Sequence, residues 1–148
     1  MQLKLVFALM ICLLSTGCAH FAGGKGTADE PFKAYKRGVT LTAPPATLQI
    51  HENLDQSGNR YFLTVDGHDV PKSAMVLELE PGEHEIEAAQ VITEHSATLR
   101  PFEQEKTDTV KQRFESGKHY YLIVDQKWDE DKHGSRLMSI KFSIGVWP

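Results

Sequence analysis

From residue 39 onward, apolar and polar residues alternate in short runs, interrupted every eight to fifteen positions by Gly, Pro, Asp or Asn. A period of two sends successive side chains to opposite faces of a strand, so runs of this kind read as half-buried strands and their spacing predicts a sandwich. Val39 to Thr42 forms a first short run, Pro44-Pro45 breaks it, and Thr47 to His51 resumes with Leu48 and Ile50 on one face. Asn53 to Asn59 is a polar turn. Arg60 to Val65 then runs into Asp66-Gly67, a pair that accepts the positive φ of a tight hairpin, and His68 to Val70 returns.

Met75 to Glu80 and Glu83 to Val91 alternate strictly around Pro81-Gly82, and the pattern predicts a hairpin. Leu77, Leu79, Ile86 and Ala88 would share its inner face, and Glu78, Glu80, Glu83, Glu85 and Glu87 its outer face. Thr93 to Lys106, with Pro101, reads as irregular. Thr109 to Phe114 is a further strand and Gly117 a turn. His119 to Gln126 pairs with Arg136 to Val146, whose Met138, Ile140, Phe142, Ile144 and Val146 fall on one face. A charged loop, Gln126 to Gly134, joins the two and carries Trp128. No stretch of ten residues keeps a helical period, and Val, Ile, Thr, Tyr and Phe crowd the runs. The expected fold is all-β: a single antiparallel β-sandwich of seven to nine strands over residues 39–148.

The first residues follow other rules. Met1 to Lys4 is a short basic start, Leu5 to Leu14 is apolar, and Ser15, Thr16 and Gly17 are small. Ten helical residues reach roughly 15 Å, against about 30 Å of hydrocarbon, so the run is a signal and not a membrane span. Leu14-Ser15-Thr16-Gly17-Cys18 resembles the lipobox of bacterial lipoproteins, with Ser15 where Leu is usual. The resemblance implies cleavage before Cys18, removal of residues 1–17 as a signal peptide, and a lipid on the Cys18 sulfur. Ala19 after the cysteine implies sorting to the outer membrane, facing the periplasm. Residues 18–38, rich in Gly and mixed charge, read as a flexible tether of about 25 Å.

After cleavage, 15 Lys and Arg face 20 Asp and Glu, a net −5 that argues against nucleic acid. Cys12 lies in the signal and Cys18 ends it, so residues 19–148 hold no cysteine and no disulfide. Three stretches in order, Thr64-Val65-Asp66-Gly67, Leu79 to Ile86 (LEPGEHEI) and Phe114 to Leu122 (FESGKHYYL), resemble bacterial envelope domains with a PEGA-like or transthyretin-like β-sandwich. That resemblance implies fold and location and brings no catalytic residues. Ser57-Gly58-Asn59-Arg60-Tyr61 is similar to a stretch of lysozyme-inhibitor lipoproteins, without the tryptophan, lysine and glycine patch or the disulfide of that family.

Candidate chemistry is sparse. There is no G-x-S-x-G, no H-E-x-x-H and no paired cysteine. His51-Glu52 and His84-Glu85 begin a zinc-protease pair but lack the second histidine four positions on. His84, His95 and His119 would bind a metal only if their strands converged, and glutamates two apart fan along a surface instead of enclosing Ca²⁺. No cofactor or metal is expected. Trp128, in its polar loop, is the candidate ligand contact, for a sugar or a protein; Trp147 reads as a staple for the last strand. The expectation is a non-catalytic envelope lipoprotein that binds or assembles with a protein partner through a sheet edge or end loops. The alternatives are a glycan- or peptidoglycan-binding module, a lysozyme-inhibitor-like protein, or a metal-dependent hydrolase.

Overall fold

The computed structural model describes residues 21–50, 60–94, 102–131 and 134–148. They hold no helix and ten strands: β1 (Phe21–Gly23), β2 (Phe32–Lys36), β3 (Ala46–Gln49), β4 (Arg60–Val65), β5 (His68–Val70), β6 (Val76–Leu79), β7 (Gly82–Glu94), β8 (Phe102–Phe114), β9 (His119–Asp131) and β10 (Gly134–Val146). Two sheets form, ordered β1-β2-β6-β3-β9-β10 and β5-β4-β7-β8. The all-β sandwich expected from the alternation is what the chain adopts.

Burial follows the period of two. In β3, Ala46 and Leu48 are fully buried while Thr47 and Gln49 face outward, and in β6 Leu77 and Leu79 are buried between outward residues. From the other sheet, Leu63, Val65, Ile86, Ala88 and Phe114 meet them. Each large side chain so removed from water contributes about 1.5–3 kcal/mol. Phe114 packs edge-on against Tyr120, with centroids 4.7 Å apart. The Tyr120 hydroxyl accepts the Glu115 N–H at 2.8 Å and so clasps the turn joining β8 to β9.

Several expectations need correction, each for a physical reason. Asp66-Gly67 is the tight hairpin predicted, with φ of 51° and 75°. Pro81-Gly82 is not a hairpin: β6 and β7 belong to different sheets, and the chain crosses between them there. A two-residue hairpin needs positive φ at its first position, and the proline ring forbids it. Leu77, Leu79, Ile86 and Ala88 are all buried, but they face one another across the core, and the glutamates are shared between two outer faces. β7 pairs instead with β8, and both extend to 13 residues, into the stretch expected to be irregular.

Val39 to Thr42 forms no strand. Residues 21–37 are not a tether, because β1 and β2 join the first sheet and bury Phe32 and Ala34. That sheet is mixed, since β2 pairs parallel with β6 and β3 parallel with β9. On β10, Ile140 and Phe142 are buried, whereas Met138 stands at a bulge and, like Val146, is half exposed. The expected loop around Trp128 is also strand: β9 runs to Asp131, and the backbone of Trp128 pairs with Leu137. The expected turn at Asn53 to Asn59 lies outside the described residues.

One buried polar pair is incompletely satisfied. Tyr61 and Gln90 are cross-strand partners; the Gln126 side-chain amide donates to Gln90 Oε1 at 2.9 Å, while the Tyr61 hydroxyl and Gln90 Nε2 are sealed from water without a partner among the described residues. Burial pushes the Tyr61 phenol above its ordinary value. The unfolded chain therefore ionises first, and stability that is whole below about pH 10 falls as pH rises beyond it. Tyr61→Phe, which removes the stranded hydroxyl, is expected to raise stability by about 1 kcal/mol. It should also lessen the alkaline loss, as read by urea unfolding at about pH 7 and about pH 10.5.

Candidate functional site

The outward side chains of the first sheet form rows set by its register. Thr47 sits between Glu78 of β6 and His119 of β9, and Gln49 between Val76 and Tyr121. Tyr121 in turn faces Gly145 of β10. Over Thr47, Gln49, Val76 and His119 lies a groove of about 420 Å³, open to solvent, with Ala28 and Pro31 on one side and Trp147 on the other. That volume is within the range of small-ligand sites.

Both walls are seated by a glycine at a place where a side chain has no room. Gly26, in the loop between β1 and β2, is buried at φ +77°, and a Cβ there would overlap the backbone of Ala74. Its carbonyl accepts the N–H groups of both Met75 and Val76, at 2.8 and 2.9 Å, which fastens the loop to the start of β6. The loop closes on itself through Gly26 and Thr27 N–H bonds to the Glu30 carbonyl. On the far side, Gly145 leaves space for the Tyr121 ring, which a Cβ would overlap. Trp147 packs edge-on against that ring, 5.4 Å between centroids. Its N–H donates to the His119 carbonyl at 2.9 Å, continuing the ladder beyond Val146.

Within the floor, Thr47 Oγ1 and His119 Nδ1 share a hydrogen bond of 2.5 Å. A hydroxyl against an imidazole is also how a nucleophile meets its base. Here no carboxylate is bonded to His119 among the described residues, and the Thr47 N–H is spent on the Lys118 carbonyl. Tyr35 donates to Glu78, and burial, together with the Glu78 charge and that bond, raises the Tyr35 phenol above its ordinary value.

Of the residues singled out in the sequence as candidates for chemistry, His119 alone lies here; Trp147, expected to staple the last strand, does so against Tyr121 and also walls the groove. Cys18, His51-Glu52 and His95 lie outside the described residues, as does the Trp128 side chain. His84, on the opposite sheet, is held structurally: Nδ1 lies 2.6 Å from Asp66 Oδ2 and Nε2 2.7 Å from the Glu80 carbonyl. Asp66 also accepts the Glu85 N–H, so this contact ties the β4–β5 turn to the crossover before β7. Among the described residues no three His, Cys, Asp or Glu side chains cluster to hold a metal.

The sheet edges offer little to a partner strand. β1 and β5 are three residues long. On β10 the Phe142 N–H is taken by Asp108 Oδ2 at 2.8 Å, and β8 carries charged residues along most of its length, which discourages added strands. Gln49 and Thr47 were not singled out as site residues in the sequence, and Trp147 only as a staple, because strand order was unknown; the one local signal was Gly145, between Ile144 and Val146 near the end of the last strand.

Comparison of the chain with protein-family models, with curated proteins and with solved structures returns no match. The site is therefore read from its own geometry.

The two glycines should respond differently to alanine. Gly145→Ala displaces only a side-chain ring, so stability should stay within about 1 kcal/mol while the near-ultraviolet circular dichroism of the Tyr121–Trp147 pair changes. Gly26→Ala meets backbone at positive φ and should cost more than about 1 kcal/mol in thermal unfolding.

Proposed function

We propose that this chain is a non-catalytic lipoprotein of the cell envelope, anchored through lipid on Cys18 and binding its partner in the groove on the outer face of the first sheet. The observation that carries the reading is the groove itself, whose walls are fixed by Gly26 and by the Tyr121–Gly145 contact. A surface fixed in advance loses less entropy on binding than one that must be ordered. Shielded edges direct the partner to this face instead of to an added strand.

The lipobox-like LSTGC supports the anchor, and Ala19 supports the outer membrane facing the periplasm. Only Ala19 and His20 separate Cys18 from β1. Three residues extend at most about 10 Å, so the lipid would hold the β1 edge close against the bilayer and not at the end of a stalk. Among the described residues no group orients His119, which favours the binding reading over hydrolysis, since a hydroxyl–imidazole pair becomes catalytic only with its third member and an oxyanion site.

Expressed in a bacterial host, the full-length chain should sediment with membranes, and its mature N-terminal peptide should carry acyl mass on Cys18. Cys18→Ser should be recovered in soluble form. A wild-type product that is soluble, with residues 1–17 retained and a free thiol at Cys18, would remove the anchor from the account.

A further inference from the structure

The groove also specifies the chemical class of its occupant. Among the described residues no Lys, Arg, Asp or Glu lines it, although 24% of the chain is charged. A phosphate, a carboxylate or a charged peptide would find no counter-ion there, and desolvating its charge would oppose binding. A wholly apolar ligand would strand the polar groups of the floor. Gln49 is exposed and its side chain makes no hydrogen bond among the described residues, and the Thr47–His119 bond engages only Nδ1 of the imidazole. These groups supply both donors and acceptors to a ligand rich in hydroxyl or amide groups.

Trp147 completes the set. It is 52% exposed, yet its backbone is bonded to His119 and its ring meets the Tyr121 ring edge-on. An aromatic held still and left open offers a large apolar surface at small entropic cost. The pairing of an aromatic surface with neutral hydrogen-bonding side chains suits a molecule with an apolar C–H face and a polar rim, which is the amphipathic form of a pyranose ring. The groove is open and not enclosed, so a chain of such rings can lie along it.

We infer that the groove binds a neutral glycan strand, with a sugar ring stacked on Trp147 and its hydroxyl or acetamido groups bonded to Gln49 and His119. This inference rests on the groove being the binding surface, and the two can fail separately.

The test is calorimetric titration of the mature lipidated chain, residues 18–148, held in a polyoxyethylene detergent that carries no sugar headgroup. The probes are uncharged hexamers of N-acetylglucosamine and of glucose. At least one hexamer should bind saturably; Trp147→Ala should weaken it about tenfold and Gln49→Ala about threefold. Gln49 is exposed and leaves the Trp147–Tyr121 contact intact, so its variant reports on the site even if Trp147→Ala perturbs folding. If neither hexamer binds at millimolar concentration, or both variants bind as wild type does, the glycan is wrong. If, in addition, an envelope protein is captured by wild type and lost with Gln49→Ala and Trp147→Ala, the groove stands with a protein occupant. Capture unaffected by either variant overturns the groove as well.

Discussion

Ala46–Gln49 is four residues long, and both of its edges are taken, by β6 running antiparallel and by β9 running parallel. Its two faces carry the two halves of the molecule's design. Ala46 and Leu48 point into the core with no exposed surface, and Thr47 and Gln49 point out to form the centre of the groove floor. Without this strand the first sheet would part into β1-β2-β6 and β9-β10. The same loss would expose the core and dismantle the groove, so the stability of the sheet and the shape of the groove share one short element.

Such a strand is vulnerable, because four residues make few ladder bonds and parallel pairing is slightly the weaker kind. The fold compensates at the ends of β3. The Thr47 N–H bonds the Lys118 carbonyl and the Ile50 N–H bonds the Met75 carbonyl. Below it, Ser116 Oγ donates to the Pro44 carbonyl and the Gly117 N–H reaches the Pro45 carbonyl, so the β8–β9 turn closes on the prolines before β3. The groove inherits this rigidity from beneath, while its walls come from elements far apart in sequence.

How much of this was legible in the sequence depends on range. Alternation identified which side chains are buried, because Leu48, Leu77, Leu79, Ile86 and Ala88 obey a rule that is local to each strand. The Asp66-Gly67 hairpin was legible for the same reason. The supposed hairpin at Pro81-Gly82 misled because strict alternation on either side says nothing about partners, although the proline at the first turn position already argued against it. Residues 18–38 read as a tether because they combine glycines and mixed charge with no sustained apolar period, and β1 and β2 are too short to show one; Gly26 is in fact required by contact with Ala74, which lies 48 positions away. Trp147 and Gln49 lie 98 positions apart and meet only through strand order, which no local pattern encodes.

The central claim is that β3 is locked between β6 and β9, and amide hydrogen exchange followed by NMR tests it most directly. The account predicts that the Thr47 and Ile50 amides exchange among the slowest in the chain, at the rate of global unfolding, together with those of their neighbours in β6 and β9. Exchange of these amides as fast as that of the terminal residues, with β9 still protected by β10, would show that β3 does not bridge the sheet and would contradict the account.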